Sequence, residues 1–365
     1  MSDNNTPDDD LDAVAEDILA DSEYDTELGA EMARDARKVA AGDLSREEFE
    51  NRHAEAVEEE FGTDLTGDGR DRSLPGIVSS PDAISRRSVL KAGAAAAGAA
   101  AVGGAVTADR STAQSTGGSD GEGVQRGMVL DTETCIKCLS CVEACKEENN
   151  TPEGHFWMEV HRYQREDREY DSSEECESFQ RPCMHCDDAP CIDVCPNNSR
   201  FKTENGRTIC NYDTCLGCKY CEVACPYHVN AFVYTDVPEY LDGPFDGQRR
   251  DDEGRWVAGT PPEGSCSKCT FCIHREWDEE TRGTTACEEV CPVDAIYFGD
   301  LNDTESAPNQ YLEDYDESEI FKARDDVADP NVIYVGEEPE GVELEPVNGP
   351  TTHADLELEE PNPSH

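Results

Sequence analysis

The stretch CLGCKYCEVACP, residues 215–226, holds four cysteines and ends in proline. Its C-x2-C-x2-C-x3-C spacing returns upstream in CIKCLSCVEAC, residues 135–145. Related motifs are CMHCDDAPCIDVCP at 183–196, and CTFC at 269–272 with CEEVCP at 287–292. Cysteines at this density must be held by disulfide bonds, zinc or iron. The candidate ligands are Cys135, Cys138, Cys141, Cys145, Cys183, Cys186, Cys191, Cys195, Cys215, Cys218, Cys221, Cys225, Cys269, Cys272, Cys287 and Cys291.

The spacing favours iron-sulfur clusters. In bacterial ferredoxins the C-x2-C-x2-C-x3-C-P run binds one cluster through three cysteines, and the fourth cysteine binds a second cluster. A tight loop can turn three sulfurs onto three corners of a cubane, while a cysteine one helical turn further on points away. Zinc usually takes two separated C-x2-C pairs. Disulfides are the other alternative, but repeated adjacent pairs give them poor geometry.

The composition is strongly acidic. The 365 residues include 83 Asp and Glu against 30 Lys and Arg, so the formal net charge is -53. Such a charge repels itself in dilute buffer, whereas near-molar salt shortens the Debye length to about 3 Å. We therefore expect a halophile's protein with an acidic surface. The absence of a basic face argues against a nucleic-acid partner.

The chain divides by composition into an acidic helical or partly disordered extension (1–80), a signal-like segment with a Ser/Gly linker (81–125), a cysteine-rich region (126–300) and an acidic C-terminal tail (301–365). Ser45 stands three residues before Glu48, which predicts a capping box. In the tail, NVIYVG predicts a strand. The ferredoxin-type motifs are expected at about 126–156, 174–205, 206–235 and 262–300.

The stretch SRRSVLKAGAAAAGAAAVGGAVTA, residues 85–108, resembles a twin-arginine export signal with Arg86 and Arg87 as the arginine pair. The apolar part is shorter than the roughly 20 residues of a membrane span, so no direct span is expected. This predicts the twin-arginine translocase as a partner and a place on the extracytoplasmic face of the cell membrane. A linker with an accidental arginine pair, in a cytoplasmic protein, is the alternative.

The sequence around the motifs predicts an α+β fold. SRFKTENGRTICNYDTC reads as a hairpin with an Asn205-Gly206 turn, and HVNAFVY and DAIYF read as strands that cover the clusters. Each half then has the order strand, cluster loop, short helix, strand. We expect tandem bacterial ferredoxin-like units that form two pseudo-twofold cluster pairs, with long acidic extensions at both ends.

The order of the motifs, the wider second motif and the KCTFC of the fourth resemble the four-cluster iron-sulfur (beta) subunit of the dimethyl-sulfoxide reductase family of molybdopterin oxidoreductases. The resemblance covers residues 126–300. It implies four 4Fe-4S clusters, at site A (Cys135, Cys138, Cys141, Cys291), site B (Cys145, Cys269, Cys272, Cys287), site C (Cys183, Cys186, Cys191, Cys225) and site D (Cys195, Cys215, Cys218, Cys221).

The resemblance also implies a function. Such a chain has no catalytic site of its own and relays electrons between a molybdopterin-bearing catalytic subunit and a membrane quinone-reactive subunit in anaerobic respiration. The alternatives are the cluster subunit of a membrane hydrogenase or cytochrome nitrite reductase, and a free polyferredoxin. A structural protein held by zinc or disulfides belongs to a different class and would be colourless.

Three cysteines remain outside these sites. Cys266 lies three residues before Cys269, so it could replace a ligand of site B, but the family pattern favours the set given above. Cys176 and Cys210 could form a disulfide. Four lysines near the motifs are expected to stabilise reduced clusters or to be ordinary solvated charges: Lys137, Lys146, Lys219 and Lys268. Three histidines are expected beside the ligands or on the surface: His185, His228 and His274.

Overall fold

The structure is a computed structural model that describes residues 11–63, 65, 123–152, 154–164, 177–234, 248–339 and 344–347. The predicted export signal at 85–108, including Arg86 and Arg87, lies outside the described residues, as do Cys176 and the end of the chain after residue 347.

The helices and strands are short within the cysteine-rich region and longer before it. The α-helices are α1 (Leu11–Leu19), α2 (Thr26–Ala40), α3 (Arg46–Phe61), α4 (Ser140–Asn149), α5 (Pro190–Asp193), α6 (Tyr220–Ala224), α7 (Ala286–Glu289), α8 (Ala307–Leu312) and α9 (Asp325–Ala328). Short 3-10 helices cover Ile273–Trp277 and Glu317–Glu319. The strands are β1 (Arg126–Asp131), β2 (Met158–Tyr163), β3 (Glu177–Pro182), β4 (Arg200–Lys202), β5 (Thr208–Cys210), β6 (Ala231–Phe232), β7 (Gln248–Arg250), β8 (Trp256–Gly259), β9 (Cys266–Ser267), β10 (Ile296–Asp300), β11 (Ile320–Phe321), β12 (Val332–Val335) and β13 (Glu345–Pro346).

One sheet joins distant parts of the chain in the order β10-β1-β12-β11. Strand β1 pairs antiparallel with β10 and parallel with β12, so Val129 lies between Tyr297 and Ile333. The strands predicted from DAIYF and NVIYVG are confirmed as β10 and β12. Because β12 lies inside this sheet and Tyr334 is fully buried, residues 320–335 fold with the cluster region and are not a separate tail.

The predicted hairpin between motifs two and three is confirmed. Strands β4 and β5 pair antiparallel with Arg200 opposite Cys210. Gly206 has a φ of +80°, a left-handed conformation that glycine adopts without strain in such a turn. The strand predicted from HVNAFVY is only partly confirmed, because β6 covers two of its residues and pairs with β9.

The N-terminal helices pack on helices that carry cysteines. The capping box predicted at Ser45 and Glu48 is confirmed at the start of α3. The Tyr220 hydroxyl donates a hydrogen bond of 2.6 Å to the Asp25 carbonyl. A Cβ atom at Gly29 would lie 2.7 Å from both Leu19 and Tyr220, so this close approach of α2 requires glycine. Among the described residues, no helix is both long and apolar enough to cross a membrane.

Candidate iron-sulfur centres

The four cysteine loops share one backbone feature. The residue before the second cysteine has a left-handed conformation in every loop, with φ between 46° and 67°, at Lys137, His185, Gly217 and Phe271. In two loops the amide of that residue donates to the first cysteine, from His185 N to Cys183 Sγ and from Phe271 N to Cys269 Sγ, both at 3.4 Å. In these two loops the turn therefore directs a backbone donor towards a candidate ligand sulfur.

Sites A and B each surround a cavity. The cysteines of site B converge on one pocket together with apolar side chains such as Met128, Met158 and Phe271. Those of site A line a second pocket with Ile136 and Val293 among their neighbours. Four thiol sulfurs around such a space fit an iron-sulfur cluster.

The pKa shifts of the buried thiols indicate which cysteines lie close together. Burial raises the pKa of Cys141 to about 12, and the thiolates of the other three cysteines of site A contribute to the rise. Burial raises the pKa of Cys145, with the other three thiolates of site B as the next causes. Burial also raises the pKa of Cys186 and of Cys218. The other three thiolates of site C contribute to the rise at Cys186, and those of site D contribute to the rise at Cys218. The structure thus brings together the four cysteines that the resemblance implied for each site.

The described cysteines differ in exposure. Cys138 is exposed, and Cys135 and Cys215 are half-buried, while the remaining described cysteines are buried. All of them are free thiols, so none of the described cysteines forms a disulfide. Within the same residues, no group of three or more His, Cys, Asp or Glu side chains is arranged to hold a single metal ion.

The spare cysteines lie beside site D. Cys266 is 1% exposed, and its thiol interacts with Cys221 of site D, which favours a place beside that site over a ligand role in site B. Cys210 is in the same relation to Cys215. The disulfide predicted between Cys176 and Cys210 stays a prediction, because Cys176 lies outside the described residues.

The lysines near the motifs have separate roles. Lys146 Nζ donates to the carbonyls of Pro152 and His155, and Lys219 Nζ donates to the Ile18 carbonyl and the Tyr234 hydroxyl. Burial raises the pKa of Cys269 to about 12, and the charge of Lys268 acts against that rise. Lys219 and Lys268 are 3% and 2% exposed, so the alternative of ordinary solvated charges is wrong for these two.

The histidines serve the packing around the cysteines. His185 is fully buried, stacks on Phe271 at a centroid distance of 3.8 Å and accepts a hydrogen bond from the Thr208 amide. His274 lies 2.7 Å from Glu148, a carboxylate that also accepts hydrogen bonds from Arg275. Burial opposes the charge on Glu148, but these partners outweigh it and lower its pKa to about 2. This network ties α4 to the loop of motif four.

Sequence reasoning missed the buried arginines. Arg200 and Arg207 lie on the hairpin between motifs two and three and are 2% and 0% exposed. Arg200 Nη2 lies 3.5 Å from Cys221 Sγ, and Arg207 forms an ion pair with Glu276. The available signal was the concentration of basic residues in the hairpin of an otherwise acidic chain. Another missed contact runs from Asn149 Nδ2 to Cys145 Sγ, at 3.6 Å.

Comparison with known proteins finds one matching family and several relatives. Residues 6–66, which lie outside the resemblance seen in the sequence, match the family described as the N-terminal region of 4Fe-4S ferredoxin iron-sulfur binding. A protein of Halobacterium salinarum, named as an iron-sulfur subunit of dimethyl sulfoxide reductase, is 36% identical over 222 residues, which are 58% of this chain and 79% of the relative.

Two bacterial relatives match a similar share of the chain. Protein NrfC of Escherichia coli is 34% identical over 191 residues, 52% of this chain and 72% of the relative. A protein of Salmonella typhimurium, named as a tetrathionate reductase subunit, is 31% identical over 212 residues, 57% of this chain and 71% of the relative. The chain belongs to the family of iron-sulfur electron-transfer subunits of the dimethyl-sulfoxide reductase type.

Proposed function

We propose that the chain carries electrons through four 4Fe-4S clusters, at sites A, B, C and D, between a molybdopterin-bearing catalytic subunit and a membrane quinone-reactive subunit. The observation that carries the proposal is the succession of four neighbouring cysteine groups, with partly exposed cysteines in the first and the last. The clusters would supply one-electron chemistry, and the chain would supply thiolate ligands, an insulating core and docking surfaces.

Shared elements support the order A, B, C, D. Helix α4 carries Cys141 of site A and Cys145 of site B one turn apart. After burial, the thiolate of Cys183 in site C is the largest influence that raises the pKa of Cys269 in site B. Motifs two and three each contribute to both sites C and D. Motif two supplies Cys191 to site C and Cys195 to site D, and motif three supplies Cys221 to site D and Cys225 to site C. Two pairs, A with B and C with D, follow from this arrangement.

The exposed ends support docking at sites A and D. Cys135, Cys138 and Cys215 are the described cysteines that are not buried, and they belong to these two sites. Ile136 lies between Cys135 and Cys138 and is 57% exposed. Leu216 lies between Cys215 and Cys218 and is 40% exposed. Exposed apolar side chains over a cluster suit contact with a partner, because they exclude water from the path of the electron. Sites B and C are covered by protein.

The docking prediction is tested with Ile136→Glu and Leu216→Glu. A carboxylate at either position should weaken contact with one partner and slow one half-reaction at least tenfold. The measurement is rapid-mixing reoxidation of the dithionite-reduced complex, once by a water-soluble quinone and once by the natural oxidant of the catalytic subunit. The clusters' EPR spectra should stay unchanged. Val124→Glu is the matched control, since Val124 is 43% exposed and lies outside the cysteine loops.

If both variants match Val124→Glu in both half-reactions, sites A and D are not the docking ends.

The metal content of the copurifying subunit tests the identity of the catalytic partner. Molybdenum in the subunit that copurifies with this chain supports the proposal, whereas nickel or haem in its place contradicts it.

We further propose that the twin-arginine translocase exports the chain already folded to the extracytoplasmic face of the cell membrane, where its acidic surface suits concentrated salt. The support is the order of charged, apolar and small residues in 85–108 and the net charge of -53. Replacing both Arg86 and Arg87 by lysine should hold the protein in the cytoplasm, as cell fractionation would show. Unchanged fractionation would contradict export by this route.

A further inference from the structure

Two cysteines that are not among the candidate ligands lie beside site D. Cys210 ends strand β5 and Cys266 begins strand β9, and both thiols are almost completely buried, at 4% and 1% exposure. The two thiols lie beside different ligands of the same site, Cys210 beside Cys215 and Cys266 beside Cys221. A ligand thiolate can only accept a hydrogen bond, so a bond within either pair requires the spare cysteine as its donor.

Arg200 joins these two cysteines to the site. It lies opposite Cys210 in the β4–β5 hairpin. Its Nη2 atom donates to Cys221 Sγ at 3.5 Å and to the Cys266 carbonyl at 2.9 Å, which fixes the guanidinium between the spare cysteine and the ligand. The Nη1 atom is buried and has no hydrogen-bond partner among the described residues.

The burial of this cation requires a compensating charge. A fully buried guanidinium without one would be strongly unfavourable. Among the described residues, no carboxylate forms an ion pair with Arg200, in contrast to Arg207, which pairs with Glu276. The strongest electrostatic partners of Arg200 are the thiolates around it, ahead of the buried carboxyl group of Glu222. A cluster held by four thiolates is anionic and gains another negative charge on reduction.

We propose that Arg200, Cys210 and Cys266 form a buried donor group that stabilises the reduced state of the cluster at site D and raises its reduction potential. Hydrogen bonds and positive charge beside the sulfurs favour the form with more negative charge. The inference rests on the proposed cluster at site D and adds the residues that set its potential. In this proposal Cys210 and Cys266 act as hydrogen-bond donors, and neither is an alternative ligand of a cluster.

The test is an EPR-monitored redox titration of the full chain, purified anaerobically, with iron content measured in parallel. Arg200→Met keeps the length of the side chain and removes the charge. At the wild-type midpoint of the site D cluster, its ratio of reduced to oxidised form should fall about tenfold, which is a shift of about 59 mV for one electron. Cys210→Ala and Cys266→Ala should each produce a smaller fall in the same direction.

Two further variants separate hydrogen bonding from general disturbance. Cys266→Ser keeps a donor at the position, so its site D potential should stay closer to the wild type than that of Cys266→Ala. Arg207→Met removes an equally buried arginine from the same hairpin but not from site D, and should leave the site D potential unchanged. If Arg200→Met loses the cluster, the comparison of Cys266→Ala with Cys266→Ser decides.

Different results would overturn the inference about the donor group and the proposed cluster at site D. Full iron content with an unshifted site D potential in Arg200→Met, or equal potentials in Cys266→Ala and Cys266→Ser, would overturn the inference and leave the proposed function standing. A wild-type chain without a cluster signal assignable to site D would instead overturn the proposed cluster itself.

Discussion

Replacing Cys145 by serine is expected to abolish the cluster at site B and leave the other three clusters in place. Cys145 is buried on α4 and is the ligand that motif one would contribute to the cluster proposed at site B, with motif four supplying the others. A hydroxyl is a poor replacement for a thiolate, and the substitution leaves one iron corner without its sulfur. The iron content should fall by about a quarter, from about sixteen to about twelve atoms per chain, since each cluster holds four.

The measurement is iron analysis of anaerobically purified protein, with EPR of the reduced sample to identify the lost signal. Cys210→Ser is the matched control, because Cys210 is an equally buried cysteine that lies beside a ligand and outside the four sites. Its iron content should equal that of the wild type. Full iron in Cys145→Ser, or an equal loss in both variants, would show that the sixteen ligands are misassigned.

Replacing Arg37 by methionine is expected to loosen the N-terminal helices from the cluster region. Arg37 is 8% exposed, and its guanidinium donates to the carbonyls of Val223, Ala224 and Cys225 at 3.2 to 3.5 Å. These carbonyls lie at the end of α6, where the helix dipole favours a cation. Hydrogen bonds from a charged group contribute about 1.5 to 3 kcal/mol, so the free energy of unfolding should fall by about 3 kcal/mol.

The loss can be followed anaerobically as the denaturant concentration at which the visible absorbance of the clusters disappears. Arg34→Met is the control on the same helix. Arg34 pairs with Asp12 on the surface, where their side chains are 38% and 76% exposed, and such a pair contributes about 0 to 1 kcal/mol. The Arg37 variant should lose its clusters at a clearly lower concentration. Equal midpoints for the two variants would mean that the N-terminal helices do not support α6.

The elements with local signals were predictable from the sequence. The hairpin at 200–210 has a turn dipeptide between strand-forming residues, and the start of α3 has a capping box. The cysteine spacing indicated clusters because three candidate ligands of each proposed cluster lie close together in the chain. The fourth candidate ligand of each comes from another motif, and the family resemblance was needed to pair Cys145 with motif four and Cys291 with motif one.

The remaining features depend on long-range contacts. The pairing of β12 with β1 joins residues that are some 200 positions apart, and nothing in NVIYVG specifies its partner. The left-handed conformation was predictable only at Gly217, because Lys137 and Phe271 show no such preference and that of His185 is much weaker than that of glycine. The packing of α2 against α6 depends on Gly29 and Arg37, which look like ordinary positions of an acidic helix. The role proposed for Arg200 depends on its contacts with Cys221 and Cys266, which two other segments bring to it.

Iron and acid-labile sulfide analysis of the anaerobically purified wild-type chain tests the central claim most directly. Four 4Fe-4S clusters require about sixteen iron atoms and about sixteen sulfides per chain, with a brown sample. Stoichiometric zinc, or a colourless protein whose thiols are joined as disulfides, would contradict the account.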